Sequence, residues 1–192
     1  MTTFLYSDPH YGHENIIKYC NRPFANAAEM DKELIKRYNS RVSDSDTVIW
    51  LGDCGFNKDK EKIRELLAKL RGKKILIRGN HDKNPGWMQS VGFDFVMESC
   101  TILIGKKYVN LCHFPYKLTT KEKIIHWFKG IKDRFNHRRF KDEGRWLIHG
   151  HVHNNMPKRT NKSINVCVDV WDYYPVPMKE IVKLMSQAKN KA

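Results

Sequence analysis

No stretch of this sequence reaches the roughly 18 consecutive apolar residues that a membrane-spanning helix needs. Helical insertion into a bilayer is therefore not expected. The first residues, Met1 to Asp8, lack a basic cluster followed by a long apolar run, so they do not read as a secretory signal and a cytoplasmic location is expected. No two cysteines form a CxxC pair. Cys20, Cys54, Cys100, Cys112 and Cys167 are scattered singly, which argues against a disulfide frame and predicts reduced thiols. Internal repeats and low-complexity linkers are absent too. Acidic residues are in short supply: 21 Asp and Glu face 35 Lys and Arg, leaving a formal charge of +14. Such an excess either draws in phosphate-bearing substrates or simply coats the surface with solvated lysines.

What is present suits one globular domain spanning residues 1–192. A hydrophobic content of 41% is enough for a core, and 29% charged residues suit a wetted surface. Phe4 to Ser7, Thr47 to Leu51 and Lys74 to Arg78 are short apolar runs that read as buried strands. Between them, Asn26 to Tyr38 and Lys58 to Leu70 have helical spacing, the second ending at Gly72. This β-α-β-α-β order predicts a parallel sheet with helices on its faces. Further on, Thr101–Ile104 and Tyr108–Cys112 look like a hairpin. Trp146–Ile148 and Ile164–Val168 look like strands, and Pro177 to Gln187 like a closing helix with proline at its start.

The chemistry-bearing residues follow the apolar runs. They are Asp8-x-His10, Gly52-Asp53, Gly79-Asn80-His81-Asp82, Cys112-His113 and His149-Gly150-His151-Val152-His153. Each therefore falls at the C-terminal end of a strand, the edge where open α/β sheets bind ligands. Taken singly, a strand-end Asp is a turn residue and a His is surface or core. Three imidazoles within five residues are harder to explain that way, because they repel when charged and resist burial. A metal ion resolves both problems. On an extended chain His151 and His153 point the same way and can serve one site. Cys54 and Cys112 adjoin these clusters and read as small packing residues.

At this point the chain resembles the calcineurin-like metallophosphoesterase family. The motifs D-x-H, G-D, G-N-H-D, a strand-end H and G-H-x-H occur in that family's order between Phe4 and about Trp171. The small bacterial and phage members are the most similar. Their beginnings resemble Ser7-Asp8-Pro9-His10-Tyr11-Gly12-His13, and their ends resemble Asn165-Val166-Cys167-Val168-Asp169-Val170-Trp171. The resemblance implies a four-layer α/β/β/α sandwich and a hydrolase with two divalent ions: Mn²⁺ first, with Fe, Zn²⁺ or Ni²⁺ as alternatives. Asp8, His10 and His153 would hold one ion, and Asn80, His113 and His151 the other. Asp53 would bridge them, with a hydroxide between the ions as nucleophile. His81 would protonate the leaving group or stabilise the transition state. Asp82 would either orient His81 or cap a helix ahead of Pro85, and His149 would be structural or support a ligand. Arg22, just before Pro23-Phe24, suits phosphate binding or surface packing alike.

One segment, at about 117–143, lies outside the resemblance and reads as an insertion of one or two helices. From Phe114 to Glu143 it carries nine Lys or Arg against four Asp or Glu, interleaved with Trp127, Phe128 and Phe135. These residues could grip phosphates and stack bases, or form an amphipathic cap. The expected substrate is a phosphate ester, chiefly a nucleotide-type or other small phosphodiester. Nuclease action through the insert, and a non-catalytic scaffold, are the rival readings. Membrane partners are not expected, and the oligomeric state is left open.

Overall fold

The computed structural model describes residues 1–56, 59–120, 132 and 134–187. Its elements are β1 (Thr3–Tyr6), α1 (Glu14–Tyr19), α2 (Ala27–Arg41), β2 (Thr47–Trp50), α3 (Lys60–Ala68), β3 (Lys73–Ile77), α4 (Pro85–Ser90), β4 (Phe95–Met97), β5 (Ser99–Ile104), β6 (Lys107–Cys112), β7 (Trp146–His149), β8 (Arg159–Thr160), β9 (Ser163–Asn165), β10 (Val176–Pro177) and α5 (Met178–Gln187). They build two five-stranded sheets, ordered β10-β1-β2-β3-β4 and β5-β6-β7-β9-β8. Strands β1 to β4 run parallel, as do β6, β7 and β9, while β5 and β6 form the expected hairpin.

Alternation along the strands sorts side chains into layers. In β1, Leu5 faces the second sheet, whereas Phe4 and Tyr6 face the helices. Leu5, Leu51 and Ile77 meet Val109, Leu111, Ile148 and Ile164 between the sheets, and Ile181 and Met185 of α5 join them. On the other face, Tyr6, Trp50 and Leu76 pack against Met30, Leu34 and Tyr38 of α2, Ile63 and Leu67 of α3 and Met88 of α4. The outer face of the second sheet buries Cys112, Phe114 and Leu147 under Tyr116, Phe135 and Phe140. This is the α/β sandwich that the sequence implied. Among the described residues no helix is long and apolar enough to cross a membrane. All five cysteines are free, with Cys54 and Cys112 packed in the core.

Several boundaries differ from the sequence reading. Pro177 pairs with Phe4 as the end of β10, so α5 begins at Met178. The strand expected at 164–168 is Ser163–Asn165, followed by a 3-10 turn at Val168–Val170. Helix α1, too short to show a period, was not anticipated. Of the expected inserted helices, residues 121–131 and 133 lie outside the described residues.

Candidate metal centre

The parallel strands of both sheets deliver their C-terminal ends to one place. Beyond β1 and β2 the chain continues as a parallel ribbon. Asp8 N–H donates to Gly52 O at 3.0 Å, His10 N–H to Asp53 O at 3.2 Å and Tyr11 N–H to Cys54 O at 3.0 Å. A parallel bridge between Ser7 and Cys167 ties the first sheet to the end of β9. Five of the seven expected ligands, Asp8, His10, Asp53, His151 and His153, have positive φ, between 47° and 70°. Non-glycine residues rarely adopt that region, and it clusters at functional sites.

The expected ligands form two groups of three donors, Asp8, His10 and His153, and Asp53, His113 and His151, and a further group, Cys20, His153 and Asp169, shares His153 with the first. Within each group the ligand atoms all lie within 4.8 Å of one another. Asn80 joins the second group, its Oδ1 3.1 Å from His113 Nε2. One Asp53 oxygen faces both groups: Oδ2 is 3.6 Å from His10 Nε2 and 3.4 Å from His113 Nε2. The other, Oδ1, accepts the His81 backbone N–H at 2.9 Å. His151 and His153 thus go to different groups. The chain is not extended here: both residues are left-handed and His153 opens a 3-10 turn.

These residues fit divalent ions. The His113 Nδ1–H donates to Leu51 O at 2.6 Å, and the His153 Nδ1–H to Asp169 Oδ2 at 2.7 Å. Both rings therefore turn Nε2 towards the carboxylates, the tautomer a ligand requires. Both ring nitrogens of His10 are buried without a hydrogen-bond partner. Burial alone would lower the His113 and His153 pKa values. Asp53 and Asp8 outweigh it for His113, raising it to about 9, and the Asp169 hydrogen bond raises His153 to about 10. Burial pushes His10 well below its usual value, and burial with the nearby His113 takes His151 down to about 3. For Asp53, burial is outweighed by the adjacent His113 ring, which holds the carboxyl far below the usual range. The Asp53 carboxylate, held ionised beside the unbonded His10 ring, describes a place for cations.

Other expected residues take different positions. His81 is exposed above the centre, its ring 5.4 Å from His10 and 5.3 Å from Phe56. Asp82 is buried, and its carboxylate accepts the backbone amides of Gly79, Asp53 and Cys54 at 2.7, 2.9 and 3.0 Å. Asn84, not Asp82, caps α4. Asp82 therefore ties the β2 and β3 loops together, a role the sequence did not suggest. His149 is buried at the end of β7, and its Nδ1 meets Gly150 O. Arg22 is neither on the surface nor free for phosphate. It is 4% exposed, and its guanidinium grips both Asp169 oxygens at 2.7 and 3.0 Å and the carbonyls of Pro9 and Asp8 at 2.7 and 2.8 Å. Asp169 is the site residue that sequence reasoning passed over. It stands 147 residues from Arg22 and 16 from His153, so no local spacing exposes the triad.

Residues 1–164 match the calcineurin-like phosphoesterase family. The chain belongs to that family. Within it, an uncharacterised protein of Methanocaldococcus jannaschii is 40% identical over 97% of this chain and 92% of its own. The gene 66 protein of Mycobacterium phage L5 is 31% identical over 88% and 87%. A crystal structure of a protein of unknown function from Aquifex aeolicus superimposes with a TM-score of 0.68 at 24% identity, covering 95% of this chain and 98% of that one, and shows the shared fold. As a calcineurin-like phosphoesterase the chain is a metal-dependent phosphoester hydrolase, and its candidate ligands stand where a phosphoryl group can be met from a cleft of about 450 Å³.

Proposed function

We propose that this calcineurin-like phosphoesterase is a dinuclear phosphodiesterase acting on nucleotide-type or other small diesters. The observation that carries the reading is the single Asp53 oxygen set between two donor groups. Asp8, His10 and His153 would hold one ion and Asn80, His113 and His151 the other, with Asp53 common to both. Mixed carboxylate, amide and imidazole donors suit Mn²⁺, Fe, Zn²⁺ or Ni²⁺. Two such ions supply Lewis acidity to the phosphoryl group and a hydroxide nucleophile.

The chain's own residues do the rest. Leu51 O and Asp169 fix the tautomers of His113 and His153. Asp82 holds the loop that carries Asn80 and His81. His81 gives a proton to the departing oxygen. Among the described residues, no lysine or arginine lines the cleft, whose organic contacts are Tyr19, Phe56 and Ile16. That lining favours the single charge of a diester over a monoester dianion. Tyr19 and Phe56, 74% and 46% exposed, offer rings to its substituents.

The described part of the 117–143 segment supports packing over strand gripping. Phe135 stacks on Phe114 at 4.9 Å, and Arg138 is engaged with Gly79 O, Arg78 O and Glu98. We read the chain as one domain, 1–192, with this segment bracing the β3 loop from behind.

The test is to load metal-free protein with Mn²⁺, Ni²⁺ or Zn²⁺, count bound metal by mass spectrometry and compare bis-p-nitrophenyl phosphate, p-nitrophenyl phosphate, cyclic nucleotides and short oligonucleotides. About two ions per chain and preference for the diester are expected. A single ion ends the dinuclear reading, and equal turnover of the monoester ends the diester one. His81→Ala should keep its metal while turnover falls roughly 10²–10⁴-fold.

A further inference from the structure

The cleft is open on its His81 side. Phe56 and His81 line both the cleft and an adjoining cavity of about 100 Å³. Ile63 and Met88, both buried in the helix-side core, form its apolar floor. Trp87 forms a wall, and exposed Lys83, together with Cys54, Gly55 and Asp82, whose carboxylate is occupied by backbone amides, completes the lining. The cavity is built on regular structure. Trp87 sits in α4, whose start is set by the Asn84 side chain capping Trp87 N–H and by Pro85. Ile63 sits in α3.

Nearly half of the Phe56 side chain is exposed beside the centre, leaving apolar area that a bound group can cover. The ring is not free to fold away, because the His13 imidazole stacks on it at 4.1 Å with 9° between the planes. It is thus held in place as a partition with His81 beside it, 5.3 Å between ring centroids. A phosphorus held over the donor groups has two ester limbs, and the limb next to His81 is the one that departs with its proton. From there Phe56 and His81, which line both spaces, give such a limb access to the cavity.

We propose that this cavity is the subsite for the departing limb of the diester, and that it accepts one aromatic ring or a substituent of that size. The proposal rests on the reading of the centre as a phosphodiesterase. Size sets the class. A sealed cavity of about 150 Å³ accommodates benzene, so this one, at about 100 Å³ and opening into the cleft, holds at most a single ring that projects partly into the cleft, and rejects a fused pair. The apolar floor selects carbon faces, and Lys83 favours a ring bearing carbonyl or nitro oxygens. A pyrimidine or a substituted phenyl group meets both conditions.

Phenylphosphonate and methylphosphonate share one anionic head and differ by the ring, so their affinities for the full-length, Mn²⁺-loaded protein read the cavity directly by calorimetry. Phenylphosphonate should bind at least about tenfold tighter, the lower end of what burial of a phenylalanine-sized group provides. 1-Naphthylphosphonate should gain nothing over phenylphosphonate. Trp87→Ala and, independently, Phe56→Ala should bring the phenyl-to-methyl ratio close to one, and Trp87→Phe should restore most of it. A ratio near one in the unmodified protein, or a ratio that survives both alanine variants, overturns the subsite while diester hydrolysis stands. Binding of neither phosphonate likewise overturns the subsite, and failure of the metal-loaded protein to hydrolyse any diester overturns the phosphodiesterase reading along with it.

Discussion

Asp8, His10, Asp53, His151 and His153 are held in a backbone region that costs roughly 1–3 kcal/mol per non-glycine residue. Their neighbours enforce it. The Ser7 hydroxyl and Cys167 thiol bond Asp8 Oδ2, and the His151 N–H donates to both Asp8 oxygens. Arg22 pins Asp169, which in turn orients His153. Protonation follows from the same contacts. With raised values of about 9 and about 10, His113 and His153 carry protons at neutral pH in the metal-free protein. Their contribution to metal-free stability is complete below about pH 6.5 and is lost as pH rises through those values. Metal must displace these protons, so Mn²⁺ uptake at pH 7 should release acid and tighten as pH rises. Asp169→Asn should weaken uptake at the His153 group by roughly 10–100-fold. Calorimetry in buffers of different ionisation enthalpy checks both points, and uptake without proton release contradicts the assignment.

At the scale of elements, the loops after β2, β3 and β7 each hold a glycine position with no room for a side chain. Gly52, with φ of +97°, sits so close to His113 and Gly79 that a Cβ would overlap both. Gly79 is pressed against Asp53 in the same way, and Gly150 against Ser7 and Asp8. Gly52→Ala therefore combines backbone strain with a collision inside the metal centre. It should lower the melting temperature and the bound metal together, measured by calorimetry and mass spectrometry. A variant with lower stability but full metal content would show that the strand-to-loop junction and the centre are independent. The elements themselves were largely legible. Helices α2 and α3 and strands β1, β2, β3 and β6 carry clear apolar patterns, and Gly72 ends the α3 region as a glycine of φ +77°. The six-residue α1, the three-residue β4 and the two-residue β8 were not, because so short a run holds no period to read.

At the scale of the whole molecule, the +14 charge surrounds a cleft whose described lining has no lysine or arginine. The surface field should therefore act on encounter with anionic diesters, while the centre handles the chemistry. Raising salt from about 0.05 to about 0.5 M should increase KM for bis-p-nitrophenyl phosphate several-fold and leave kcat nearly unchanged. A KM indifferent to salt would reduce the charge to solubility.

The order of strands and helices and the position of each ligand cluster at a strand end were determined by the sequence itself. Apolar periodicity and polar breaks are local properties. The left-handed backbone that carries His151 and His153, the turning of Asp82 towards backbone amides and the recruitment of Arg22 and Asp169 were decided only in three dimensions. They depend on left-handed residues without glycine and on pairs up to 147 positions apart, which meet because two parallel sheets bring their ends to one edge.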